Sequence, residues 1–278
     1  MKLYLCSPHS NWFIDAMKVY LAGPSYGYTE ECMKIYFAGL HGENTRANLN
    51  NDFAQKLYVL ESYHYFHDWM IPYVKNYWNF LLDSGAFTFL ANQKKSVDWD
   101  AYVNGYAEFI NKLDCNLFFE LDIDPIIGLK NVEKLRKTLE QKTQKKCIPV
   151  WHKSRGLSYF EDMCKEYDYV AIGGIVTKEI AKNEYPIFHK LLQIAYENKT
   201  KVHGLGFTSL ELLKKYKFHS VDSTSWIYGN RGGFLYKFNG STFDKITVPQ
   251  GKRLKGKKVA IHNFQEWVKF QKYADRNL

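Results

Sequence analysis

The sequence predicts an α/β chain folded as a (β/α)8 barrel of the TIM type, and three observations carry that expectation. Six apolar runs end in Asp, His or Gly: Phe80–Asp83, Phe118–Asp122, Ile148–His152, Val170–Gly174, Val202–Gly206 and Ser220–Asp222. A strand of a parallel barrel reads this way, its apolar body filling the core and its polar tip emerging at the carboxyl face where such barrels keep their chemistry. Stretches with helical spacing separate the runs. The 278 residues, 46% of them hydrophobic, suit a barrel of about 250 residues.

In chain order, residues 2–6 read as a first strand, residues 12–21 as a helix, and Met33–Gly39 as a second strand. Residues 40–52 are polar and rich in Asn, which predicts a loop. The aromatic segment Leu57–Tyr77 predicts a helix broken near Pro72. Trp99, Tyr102, Val103, Tyr106, Phe109, Ile110 and Leu113 recur at helical spacing, the clearest amphipathic pattern in the chain. A strand at 117–122, a basic helix over 131–146 and a strand at 147–151 follow. Ser158 with Glu161, and Thr208 with Glu211, have the form of capping boxes. Pro186 suits the first turn of a helix ending near Asn198. Eight strand candidates result. A doubly wound open sheet is the second reading, but no GxGxxG stands at a first turn to support it. The expected organisation is a barrel over 1–240 and a short basic segment over 241–278, packed on the barrel or extending it.

The net charge of +9 points to a polyanionic partner. Residues 250–278 hold eight Lys or Arg against two acids, and Lys252, Arg253, Lys255, Lys257 and Lys258 form the densest part. A charge run is ordinarily a solvated surface, yet with Phe264, Trp267 and Phe270 close behind, a phosphate-facing surface is expected at least as much. Five scattered cysteines without a CxxC pair fit a reducing cytoplasm. No stretch has the length of a membrane span, and the start lacks the apolar run of a signal peptide.

Asp83, Asp122 and Asp222 end three strands whose tips would share one central well. Three acids there repel one another unless each has work to do, in proton transfer, nucleophilic attack or metal binding. A metal site is the generic reading of such acids beside His152 and His203. Singly, each Asp reads as a turn or cap residue. Six polar strand ends in one chain favour a site.

The run Leu82-Asp83-Ser84-Gly85-Ala86-Phe87 resembles the Asp-Ser-Gly-Gly-Phe motif of the tRNA-guanine transglycosylases, barrel enzymes that exchange a guanine base for a 7-deazaguanine. Ala171-Ile172-Gly173-Gly174-Ile175 and His203-Gly204-Leu205-Gly206 resemble two further strand ends of that family. Asp222, followed by Gly229-Asn230-Arg231-Gly232-Gly233, resembles its nucleophile strand and the glycine-rich stretch after it, which reads as a loop that lets backbone approach a sugar-phosphate. The likeness runs over roughly residues 79–233. The departures are specific: no cysteine follows Cys164, so the family's zinc site is absent, and His152 stands where a glutamine is expected. Zinc-free chains of this kind resemble the DNA-modifying branch, the DpdA-like DNA 7-deazaguanine transglycosylases of phages and bacterial islands.

The resemblance implies roles. Asp222 would be the nucleophile on the deoxyribose and Asp83 the acid and base. Ser84, Phe87, Asp122, His152, Gly173, Gly174, His203 and Gly204 would hold the base. Arg231 and the basic run would hold DNA phosphates. It implies no metal and no cofactor, only a free 7-deazaguanine base as co-substrate, and a modified phage genome resistant to nucleases, made in the host cytoplasm. Two other readings stay open: the same exchange on tRNA, and a non-catalytic nucleic-acid-binding barrel.

Overall fold

The computed structural model describes residues 33–85, 88–89, 97–207, 210–232, 234–247 and 256–278. The expected first strand at 2–6 and the helix over 12–21 lie outside the described residues.

Among the described residues, seven parallel strands form one sheet: β1 (Lys34–Ala38), β2 (Leu57–Ser62), β3 (Trp78–Asp83), β4 (Val150–Trp151), β5 (Tyr169–Ile172), β6 (Lys201–Gly204) and β7 (Ser220–Ser223). Their spatial order is β3-β2-β1-β7-β6-β5-β4. The two edges face the same segment, residues 117–120. Leu82 N–H donates to Leu117 O and Phe119 N–H to Leu82 O, both at 2.9 Å. On the other side Ile148 N–H donates to Phe118 O at 2.8 Å, and Glu120 N–H to Ile148 O at 3.1 Å. These contacts are single bridges, Leu82 to Phe118 and Phe119 to Ile148, rather than ladders. The expected eight-stranded barrel is therefore met in part, as a curled seven-stranded parallel sheet bridged at both edges by segment 117–120.

Residues alternate across the strands, as a period of two requires. Ile35, Phe37, Val59, Phe80, Leu82, Val170, Ile172, Val202 and Val221 belong to the larger core, shared with the helices. Tyr36, Ala38, Leu60, Leu81, Phe119, Ile148, Val150 and Ala171 form a second, inner core. Strands buried on both faces are the mark of a parallel sheet covered by helices.

The helices are α1 (Glu43–Leu49), α2 (Ile71–Asn76), α3 (Trp99–Leu113), α4 (Asp124–Ile127), α5 (Leu129–Thr143), α6 (Leu157–Glu166), α7 (Ile187–Glu197), α8 (Leu210–Leu213), α9 (Ser225–Gly232) and α10 (Gly256–Asn277). Helix α3 is the amphipathic helix expected. Asp98 caps it by accepting from Ala101 N–H at 2.9 Å, and Val103, Tyr106, Ala107, Ile110 and Leu113 fill its buried face.

Several expectations fail locally. Residues 57–62 are a strand, not the start of a helix: Leu57 and Val59 face the helices while Leu60 faces the inner core. Residues 43–49 are helical rather than loop, and only Leu49 of that helix is buried, so no apolar period marks it. Ser158 lies inside α6, which starts after Gly156 (φ +80°) without a side-chain cap; Thr208 lies outside the described residues. Residues 229–232 of the expected glycine-rich loop belong to helix α9, and Gly233 lies outside the described residues.

Beyond α9, β8 (Phe234–Phe238) and β9 (Phe243–Thr247) pair antiparallel, and α10 follows. Helix α10 is stitched to the first two strands by Gln271. Its Oε1 accepts from Tyr58 N–H at 3.2 Å, and its Nε2 donates to Ile35 O at 2.6 Å and Tyr58 O at 3.0 Å. Phe264, Trp267 and Phe270 are fully buried, which corrects their expected place on a phosphate-facing surface: they are core residues of α10.

Candidate active site

Asp83 ends β3 and pairs in register with Ser62 of β2. The chain then turns sharply. Gly85 takes φ +75°, and a Cβ there would fall 2.5 Å from Ser62 Oγ and 2.6 Å from His64 Cβ, so only glycine fits. The turn aims Gly85 N–H at Asp83 Oδ2, 3.2 Å away. Ser84 is fully buried, and its carbonyl accepts from Tyr102 OH of α3 at 2.6 Å. Tyr106 OH lies 3.3 Å from Leu82 O and 3.1 Å from Phe119 O, tying the same strand end to segment 117–120. Burial pushes the Asp83 carboxyl up to about 7; the charges of Asp122 and Asp222 add to the push, and the Gly85 and Ser84 amides oppose it. Phe87 lies outside the described residues.

The carboxyl ends of the parallel strands form the mouth of the curled sheet, and across it from Asp83, His152, which follows β4, is clamped between two carboxylates. Its Nε2 meets Asp122 Oδ1 in a short hydrogen bond, and its Nδ1 lies 2.8 Å from Glu179 Oε2. Burial works against the charged imidazole, but the hydrogen bonds and charges of Asp122 and then Glu179 outweigh it, and the ring is pushed up to about 9. Glu179 is held below its usual range by the same bond and by Ser154 N–H at 3.0 Å. The two glycines of the expected base pocket make this clamp possible. A Cβ on Gly173 would stand 2.8 Å from His152 Cε1, and one on Gly174 (φ +79°) 2.8 Å from Glu179 Oε2.

Asp222 lies on β7 next to β6. Its Oδ1 accepts from Gly206 N–H at 2.6 Å and faces His203 Nε2 at 3.3 Å. His203 is fully buried in the sheet interior, with Nδ1 on Ser220 Oγ. Gly204 lies against Phe207 and Phe218, each about 3.2 Å from where a Cβ would be.

Behind the mouth, a structural cluster holds the end of segment 117–120. Buried Glu120 accepts from Val150 N–H at 2.7 Å and from Arg155 Nη1 at 3.1 Å, and Arg136 lies 3.5 Å away. Arg155 also grips Asp124 through two nitrogens, at 3.1 and 2.5 Å. Asp122, Asp124 and His152 offer ligand atoms within 4.8 Å of one another, the spacing of a cation site. Each is already engaged, His152 with Asp122 and Asp124 with Arg155.

Glu179 and Glu61 are two acids beside these strand ends that the sequence did not single out. Glu179 follows no apolar run and lies on the loop after β5. Glu61 is buried near the tip of β2, where it bonds Leu40 N–H and lies 2.9 Å from His41 Nδ1; reading that segment as helix hid it. Lys257 and Lys258 are exposed in the first turn of α10, while Lys252, Arg253 and Lys255 lie outside the described residues. Arg231 is in α9, and its side chain is not among those described. Among the described cysteines, Cys115, Cys147 and Cys164 are free and buried, and burial pushes the thiols of Cys115 and Cys164 up to about 11 and 12. No helix among the described residues is long and apolar enough to cross a membrane.

No protein-family model matches the sequence, and no curated protein does. Among solved structures the chain is similar to the 3,6-anhydro-D-galactonate cycloisomerase from Zobellia galactanivorans, at 13% identity and a TM-score of 0.48 over 84% of this chain. It spans 65% of the length of that protein. It is also similar to the citrate synthase SbnG, at 9% identity and a TM-score of 0.41, over 71% of this chain and 89% of that one.

Proposed function

We propose that this protein is a DNA-guanine transglycosylase, which exchanges guanine in DNA for a free 7-deazaguanine base of the preQ0 kind through a covalent Asp222–deoxyribose intermediate. The observation that supports this most is the contrast between two strand-end carboxyls at one mouth. Asp83 is pushed up to about 7, which suits a group that gives a proton and later takes one back. Asp222 has Oδ1 held by Gly206 and His203, which leaves Oδ2 to attack a sugar carbon.

In the first half-reaction Asp222 Oδ2 bonds to C1′, the C1′–N9 bond breaks, and its electron pair leaves with guanine, which takes the Asp83 proton. In the second, Asp83 removes the proton from the matching nitrogen of the 7-deazaguanine. That nitrogen displaces the Asp222 ester, so configuration is retained over two inversions. The finer fold belongs to the same reading: segment 117–120 counts as the fourth strand of a (β/α)8 barrel, with Asp83, Asp122 and Asp222 at the third, fourth and eighth tips. Asp122, Ser84, His152, Gly173 and Gly174 would read the edge of the base, with His203, Gly204 and Phe87 around its ring. The target nucleotide has to leave its stack to reach them.

Nucleoside mass spectrometry of DNA and tRNA from cells expressing the protein, supplied with a 7-deazaguanine, tests this. A deazaguanine deoxynucleoside in DNA is the expected result. The modified base in tRNA alone would move the activity to tRNA, and neither would leave a nucleic-acid-binding barrel.

A further inference from the structure

A chain of hydrogen bonds, buried at its middle link, runs from Asp222 into the sheet. Tyr169 OH meets Ser220 Oγ, Ser220 Oγ meets His203 Nδ1, and His203 Nε2 lies 3.3 Å from Asp222 Oδ1. His203 and Ser220 are fully buried. His203 Nδ1 and Nε2 face groups of different kinds. The carboxylate at Nε2 can only accept, which favours a proton there, but at 3.3 Å the contact is long and does not fix the ring alone. In a neutral ring Nδ1 is then an acceptor and takes the single Ser220 hydroxyl proton. Ser220 Oγ in turn accepts from Tyr169 OH.

We infer that Ser220 and Tyr169 are positioning residues: they fix His203 in the Nε2–H tautomer, so that His203 and Gly206 together hold Asp222 Oδ1 and turn Oδ2 to the mouth. The consequence for turnover rests on the transglycosylase reading above; the tautomer does not. Second partners of this kind set the tautomer and orientation of a working imidazole.

The test is ring nitrogen NMR of the full-length protein labelled with 15N-histidine, at about pH 8, where an ordinary imidazole is neutral. The His203 signals are assigned as those lost in His203→Gln. The expected result is a protonated Nε2 and an unprotonated Nδ1. Ser220→Ala should move both signals toward the mixed-tautomer average. Tyr169→Phe should move them the same way by less, because Ser220 keeps its proton for Nδ1. Circular dichroism checks that each variant is folded. In parallel, Ser220→Ala should lower kcat for guanine exchange about tenfold with little change in KM, as loss of a partner that orients a working group does. A proton on Nδ1 in the unaltered protein, or ring signals that stay put in folded Ser220→Ala, would overturn the inference. If no exchange is seen in the unaltered protein, the transglycosylase reading fails and the ring signals still decide this one.

Discussion

Two residues at the mouth bend the stability of the protein with pH in distinct ways. Asp83 has its carboxyl raised from 3.8 to about 7, so the folded chain binds that proton more tightly than the unfolded one. Its contribution is complete below about pH 4 and is lost as pH rises through 7. Asp83→Asn should therefore stabilise the protein at pH 8, by about 2 kcal/mol after allowance for solvent near the mouth, and change little at pH 4. Thermal melts at the two pH values check this, and an equal effect at both would contradict the burial argument. His152 is raised from 6.5 to about 9 by Asp122 and Glu179. Its stabilisation is full below 6.5 and fades as pH passes 9, so His152→Gln should cost about 2 kcal/mol near pH 6 and much less near pH 10. Because the ring contacts Asp122, the same variant should shift the preference among 7-deazaguanines more than it lowers total exchange. Equal loss for every base would make His152 a purely structural residue. The acids Asp83, Asp122 and Asp222 and His152 were legible in the sequence because each closes an apolar run, and His203 because it lies in a run that closes on glycine. Glu179 was not, since the loop carrying it reaches His152 only in three dimensions.

At the scale of elements, glycines mark where backbone or side chains come close. Gly229 in α9 resembled part of a phosphate-facing loop, but the helix explains it differently. A Cβ there would lie 1.9 Å from Asn263 Nδ2 and 2.6 Å from Phe234 O, where α9, α10 and β8 meet. Asn263 Oδ1 accepts from Tyr236 N–H at 2.8 Å at the same place. Gly229→Ala should then destabilise the fold by about 2–4 kcal/mol, since a buried backbone contact cannot give way as a surface side chain can. Denaturant unfolding reads this, and a loss below about 0.5 kcal/mol, the range of a surface change, would contradict the packing. Strand β2 shows why part of the fold was hidden. Its residues face apolar surroundings on both sides, so Leu57–Leu60 has no polar alternation, and the tyrosines and tryptophans after it imitate a helical period. Helix α1 is the reverse case, with one buried leucine and nothing else for a periodicity to catch.

Over the whole molecule, the last helix is structural before it is electrostatic. Phe264 packs against Phe37 of β1 at 5.1 Å between ring centres and against Trp226 of α9 at 5.5 Å. The end of the chain thus covers its first described strand, while Lys257 and Lys258 stay in water at the start of that helix. The sequence could not show that the aromatics behind this charge point the other way, into the core. With α10 over β1 and β2, and segment 117–120 bridging β3 and β4, the strand ends that carry Asp83 and Asp222 are held by the whole sheet. The covalent reaction proposed for them can be tested by one substitution. Asn is nearly isosteric with Asp and can still accept from Gly206 N–H, but it cannot form the glycosyl ester. The deciding measurement is incorporation of labelled guanine into DNA by purified Asp222→Asn, its folding verified by thermal melting and its DNA binding by titration. Loss of exchange to background with folding and binding kept is the predicted result. Substantial exchange by the folded variant would contradict the covalent mechanism.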